Sequence, residues 1–110
     1  MKLSTETSQG YTVIAVDGRF TAAGAPQFRH RAGEIVAKGE NRIVVDLAEC
    51  TFIDSSGLGA LISALKTARV AGGDLKIAAA PENVLSVLRL TNLDRVLRNH
   101  PVAESAFDGR

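Results

Sequence analysis

Residues 51–61 read Thr-Phe-Ile-Asp-Ser-Ser-Gly-Leu-Gly-Ala-Leu, and they join two differently patterned apolar segments. Before them lies Ile43–Leu47, a short and nearly continuous apolar run. That pattern predicts a strand covered on both faces, as in the middle of a parallel sheet. After them, Leu58, Leu61, Ile62 and Leu65 fall at i, i+3, i+4 and i+7, the stripe of a helix that packs one face on a core. Gly72 and Gly73 close that helix after about Val70. The stretch is thus a strand-to-helix junction carrying an acid, two hydroxyls and two glycines. In open α/β sheets, functional groups collect at the carboxyl ends of strands.

The rest of the chain fits around this junction. Tyr11, Val13 and Ala15 alternate with Thr12, Ile14 and Val16, a strand pattern expected to stop at Gly18. A weaker strand near Leu3–Thr7 pairs with it through a turn at Ser8–Gly10. Phe28, Ala32, Ile35 and Val36 mark a helix that Pro26 opens and Lys38–Gly39 end. Beyond the junction helix come a strand at Asp74–Ala80 and a helix from Pro81 to about Thr91 or Asn92. Leu93–Leu97 is expected as a last short strand or turn, and Pro101–Phe107 as a short terminal helix. Alternating strands and helices imply parallel pairing, and the opening hairpin adds an antiparallel strand. The expectation is an α/β fold over residues 1–110, with a mixed sheet of four to five strands and about four helices.

Bulk properties narrow the function. The formal charge is +1 and no run of like charge occurs, which speaks against a nucleic-acid or membrane surface. No apolar segment approaches the roughly 18 residues of a membrane span. The first residues lack the apolar core of a signal peptide, so a reducing cytoplasm is expected. Cys50 is the sole cysteine and has no Cys/His cluster around it, so it reads as a buried structural thiol, with no metal expected. No large apolar face is left unassigned, and a monomer is expected.

Four chemistries compete at Asp54-Ser55-Ser56-Gly57. Ser55 or Ser56 can cap the helix, its oxygen accepting a free backbone N–H. A serine nucleophile needs Gly-x-Ser-x-Gly and a base, but neither serine has a glycine two residues before it. The two histidines do not help: His30 lies between arginines and His100 near the tail. A nucleotide cradle would continue Gly57-Leu58-Gly59 with glycine at position 62, which is Ile. The fourth is a modified serine. A phosphate there would add about −1.5 to −2 charges beside Asp54 and turn a docking surface on or off. The helix face opposite the leucines carries Ala60, Ser63, Ala64, Thr67 and Ala71, small and uncharged. Small side chains admit another protein's backbone, while alanine is also the best helix former.

The run from Arg42 to Leu97 resembles the STAS domain of bacterial anti-sigma factor antagonists. Its carriers are the strand ending Asp46-Leu47, the core Asp54-Ser-Ser-Gly-Leu-Gly59, the Gly72-Gly73 break and the Leu90-Thr-Asn-Leu93 ending. Val16–Phe28 is similar to the family's loop before its first helix. The resemblance implies partner switching. The unphosphorylated protein binds an anti-sigma factor that is also a serine kinase of the histidine-kinase-like ATPase class, which frees a sigma factor. Phosphorylation of Ser55 ends that binding, and a serine phosphatase of the protein phosphatase 2C type restores it. Asp54, Ser56, Gly57 and Thr21 would neighbour the phosphosite, and Leu58, Gly59, Ala60, Ser63, Ala64 and Thr67 would meet the partner. ATP and metal belong to the partner enzymes, so this chain is expected to need no cofactor and to be no enzyme. Thr21 stands where the family usually has Asp, one departure. The alternative is a STAS scaffold or accessory subunit of a signalling or transport complex, with Ser55 only a cap.

Overall fold

A computed structural model describes residues 1–107. The chain builds a mixed sheet of β1 (Lys2–Ser8), β2 (Tyr11–Phe20), β3 (Arg42–Asp46), β4 (Cys50–Ile53), β5 (Asp74–Ala78) and β6 (Asn99–His100). Three helices accompany it: α1 (Ala25–Ala37), α2 (Ser55–Val70) and α3 (Glu82–Leu90). The strand order is β1-β2-β3-β5-β6, with β4 paired to β2. β1 and β2 run antiparallel and all other pairs are parallel.

The alternation in β2 is borne out. Thr12, Ile14 and Val16 are buried, while Tyr11, Val13 and Ala15 are half-buried on the opposite face. β3 is covered on both faces at Ile43, Val44 and Val45, as its unbroken apolar run predicts. Residues of all three helices join Ile14, Val16, Ile43, Val45, Leu75 and Ile77 in the main core, so the helices share one face of the sheet. On the other face Val44 and Ala78 are covered by Ala106 and Phe107. There the Phe107 ring stacks on Tyr11 with centroids 6.4 Å apart, and Lys76 Nζ donates to the Ala106 carbonyl at 2.9 Å.

Three expectations need correction. β2 does not stop at Gly18 but runs on to Phe20. Gly18 has φ +101°, and the pairing register shifts between Gly18 and Arg19, so the glycine makes a bulge rather than an end. Past that bulge β2 pairs with β4, a strand that was not expected, because its four residues show no period-2 alternation. The tail differs as well. Leu93–Arg95 and Ala103–Ser105 are single turns of 3-10 helix, and the last strand is the dipeptide Asn99–His100 beside Ile77–Ala78. Segments this short are held by the sheet edge and carry no periodicity of their own. Among the described residues the sheet therefore has six strands, and there are three α-helices rather than about four.

Candidate functional site

The junction is built by β4 handing over to α2. Asp54 leaves the strand in an extended conformation and its Oδ1 accepts the N–H of Gly57 at 3.0 Å. The helix cap is therefore Asp54, not Ser55 or Ser56. Its carboxylate satisfies a free donor of the first turn and places negative charge at the positive end of the helix. Ser55 becomes the first helical residue and is exposed, and Ser56 is half-buried. Neither serine hydroxyl makes a hydrogen bond to any described residue.

The first turn of α2 is pressed against the end of β2. Phe20 O accepts the N–H of Asp54 at 3.3 Å. A Cβ on Gly57 would overlap that same carbonyl oxygen and lie 2.8 Å from Ile53 Cγ1. Gly57 is required by this close approach. Thr21 follows Phe20, whose carbonyl meets Asp54. The Thr21 carbonyl accepts the N–H groups of Gly24 and Ala25 at 3.0 and 2.9 Å, the turn that opens α1. A hollow of about 420 Å³ at the far end of the sheet is lined by Thr12, Glu40 and Arg42, away from Ser55. Nearer the junction, a hollow of about 370 Å³ is lined by Arg19, Thr21 and Gln27. Ser55 itself lies on open surface outside both.

The small face of α2 is not one surface but two. Ala60, Ala64 and Ala68 are buried at 0, 2 and 0% exposure, in one core with Ala25, Phe28 and Ala32 of α1. α1 packs directly on α2, and short side chains let two helices approach closely. The partner expected for Ala60 and Ala64 is thus a helix of the same chain. Leu58 is likewise in the core, at 6% exposure. Those three residues are corrected from docking surface to core. Gly59, Ile62 and Ser63 are half-buried and Thr67 is exposed, so they remain accessible beside Ser55 and Ser56.

Three residues that the sequence patterns did not single out stand out near this junction, two on the β2–β4 pair and one on α1. The Arg19 guanidinium lies 4.4 Å above the Phe52 ring, and Phe52 is 39% exposed. Arg29 reaches from α1 to Gly59, its Nη2 lying 3.7 Å from where a glycine-59 Cβ would stand. An apolar residue beside an arginine across a strand pair is a signal only once β4 is known to pair with β2.

Other reactive groups are placed elsewhere. Cys50 is buried, and burial pushes its thiol up, offset in part by backbone contacts at Phe52 and Phe20. It is an inert core thiol, as its sequence position predicts. His30 is exposed on α1 and faces Glu34 at 3.6 Å, and His100 lies on β6. Among the described residues, no group of three or more His, Cys, Asp or Glu side chains is placed to hold a metal ion. No helix among them is long and apolar enough to cross a membrane. What the junction offers chemically is an exposed primary hydroxyl on a rigid helix start.

Comparison with known proteins bears on what such a junction is. Residues 3–99 match the family described as Mlab, STAS domain. A Thermotoga maritima protein named as an anti-sigma factor antagonist is 35% identical over 75 residues, 68% of this chain. The match spans 66% of that relative's own length. Bordetella bronchiseptica BtrV, which carries the same functional name, is 30% identical over 96% of this chain and 88% of its own. A crystal structure of an anti-sigma factor antagonist from Thermotoga maritima superposes with a TM-score of 0.89 at 25% identity, covering 96% of this chain and 92% of that one. The Bacillus cell fate determinant SpoIIAA in its phosphorylated form shares the fold at a TM-score of 0.74 and 18% identity, covering 97% of each chain. The fold and the match over residues 3–99 agree, and the chain belongs to the STAS domain family, among relatives named anti-sigma factor antagonists.

Proposed function

We propose that this chain is an anti-sigma factor antagonist whose binding is switched by phosphorylation of Ser55. The observation that carries this is the division of labour at the junction. Asp54 caps α2 through Gly57, so the Ser55 hydroxyl is exposed and not needed to hold the helix. Esterifying it changes the surface and leaves the fold intact. The names of the relatives and the phosphorylated state in which a fold neighbour was solved support the same reading.

In this scheme the unphosphorylated protein docks an anti-sigma factor through the strip of Ser55, Ser56, Gly59, Ser63 and Thr67, which releases a sigma factor. The anti-sigma factor is a serine kinase of the histidine-kinase-like ATPase class. It transfers the γ-phosphoryl group of ATP to Ser55 Oγ, forming an O–P bond as ADP leaves and the hydroxyl proton is lost. The phosphate places about −1.5 to −2 charges beside Asp54 and ends the complex by repulsion and bulk. A phosphatase of the protein phosphatase 2C type hydrolyses the ester and restores the serine. ATP and metal enter with these enzymes, and the setting is the cytoplasm. Thr21 in place of an acid leaves Asp54 as the carboxylate of the immediate site, which makes the charge change on phosphorylation relatively larger.

The test combines purified kinase, ATP and mass spectrometry, with dissociation constants for variants. A single phosphate on Ser55 is expected. Ser55→Ala should bind the kinase constitutively with unchanged folding, while Ser55→Asp should weaken binding about tenfold or more, roughly the effect of 1.4 kcal/mol. Equal dissociation constants for the wild type and both variants would sink the switch and favour an accessory role in a signalling or transport complex.

A further inference from the structure

We propose that Arg29, which lies over the turn of α2 at Gly59, receives the phosphate of Ser55. This rests on Ser55 being the phosphosite. The two glycines of the junction differ in a way the fold does not explain. Gly57 is forced by the Phe20 carbonyl, but a Cβ on Gly59 would meet only Arg29 Nη2, at an ordinary 3.7 Å. Glycine in a helix interior is costly in conformational entropy, and here no neighbouring backbone or core atom demands it. What its missing side chain does is leave an open turn on α2 with a guanidinium lying over it.

Ser55 and Gly59 are four residues apart on α2 and therefore stand one above the other on the same face. Such positions hold their Cβ atoms about 5–6 Å apart. Side chains in a helix also lean toward its N-terminus, so the Gly59 position over which Arg29 lies faces toward Ser55. Both side chains are exposed and free to change rotamer. A phosphate on Ser55 Oγ thus comes within ion-pair reach of Arg29 with no backbone movement. Arg29 is also uncommitted. Its neighbours His30 and Arg31 both face Glu34, whereas Arg29 has no carboxylate partner among the described residues. A planar guanidinium suits a phosphate well, because it donates two parallel hydrogen bonds.

The consequence is regulatory. In the unphosphorylated chain Arg29 lies over the turn at Gly59 as a positive charge held by no carboxylate among the described residues, and a docking partner can push it aside. Once Ser55 is phosphorylated, the phosphate draws Arg29 onto itself. The pair then holds Arg29 beside the turn and cancels that charge. Phosphorylation closes the docking strip from within this chain, in addition to repelling the partner.

The test needs no kinase. Phosphoserine is incorporated at position 55 during translation, and the second ionisation of the phosphate is followed by phosphorus NMR against pH. An ordinary phosphoserine has a second pKa near 6. A neighbouring guanidinium favours the dianion and holds that value down. Arg29→Gln should raise it by roughly half a unit, as expected for one charge at about 6 Å near water, and added salt should shrink the difference. Arg29→Lys should retain most of the effect, and Arg31→Gln, whose arginine already faces Glu34, should leave it unchanged. Identical titrations for wild type and Arg29→Gln would overturn the proposal, as would an equal rise in Arg31→Gln, which would mean only diffuse charge. Because the phosphate is installed genetically, this outcome is independent of whether a kinase modifies Ser55. Absence of phosphorylation in the kinase assay would defeat the proposed function, whereas flat titrations would defeat the role of Arg29.

Discussion

The two flanks of α2 are made of the same kinds of residue and serve opposite ends. One carries Ala60, Ala64 and Ala68, buried where α1 lies against it. The other carries exposed Ser55 and half-buried Gly59 and Ser63, with Arg29 lying over Gly59. Both are small and uncharged. On the first flank, smallness brings two helices of one chain together and removes apolar surface from water. On the second, it leaves a helix turn covered only by the end of an arginine side chain. Size alone therefore does not mark an interface. What separates the flanks is whether a neighbour within the chain already fills the space.

The sharpest way to break this contrast is a large charged residue on the buried flank. Ala64 is 2% exposed, in one core with Phe28 and Ala32. Ala64→Arg must either bury a cation without a partner or push α1 away. The expected cost is at least about 4 kcal/mol, a large share of the 5–15 kcal/mol that typically holds a domain together. Circular dichroism in urea should show a domain largely unfolded or with a strongly lowered midpoint. A variant that folds normally and merely fails to bind a partner would return Ala64 to the docking surface.

A smaller effect is expected where α2 meets β2. Gly57→Ala drives a methyl group into the Phe20 carbonyl and Ile53. Because the obstacle is backbone, relief requires α2 to shift along β4. Overpacking of this kind costs about 1–3 kcal/mol. The domain should remain folded, with a lower unfolding midpoint in urea and shifted amide resonances at Asp54 and Ser55. An unchanged midpoint would show that the junction is looser than the contact implies.

Much of this was legible in the sequence because it rests on local rules. The alternation of Tyr11–Val16, the stripe of Phe28, Ala32 and Ile35, and the glycine stop after Val70 depend on burial and backbone conformation within a few residues. The junction at residues 51–59 was legible for the same reason, as a pattern change between two elements. What was not legible depends on pairing across the chain. β4 exists because Gly18 bends β2 toward it, and nothing within Cys50–Ile53 announces that. The sequence offers Ser55 or Ser56 as the cap, because serine suits that role. Only the extended backbone at Asp54, which puts its carboxylate on the Gly57 N–H, moves the cap one residue earlier. Arg29 lies in a run of charged residues that reads as a solvated face, and its position over Gly59 follows from how α1 packs on α2.

The finest test of the contrast is Gly59→Ala, because it separates folding from docking by the sign of two effects. On the buried flank an added methyl group has nowhere to go. At Gly59 it meets only the far end of a flexible arginine, at an ordinary contact distance. Replacing glycine by alanine in a helix interior stabilises by about 0.5–1 kcal/mol when the space is free, chiefly by restricting the unfolded chain. The variant should therefore unfold at slightly higher urea than the wild type. Its affinity for the anti-sigma factor kinase should nevertheless fall, because the methyl group occupies the bare turn that a docked backbone approaches. Higher stability with weaker binding is the signature of a residue kept for function. A variant that gains stability and binds as well as the wild type would show that the partner does not use this turn. The open flank would then reduce to Ser55 and the residues around it, Ser56, Ser63 and Thr67.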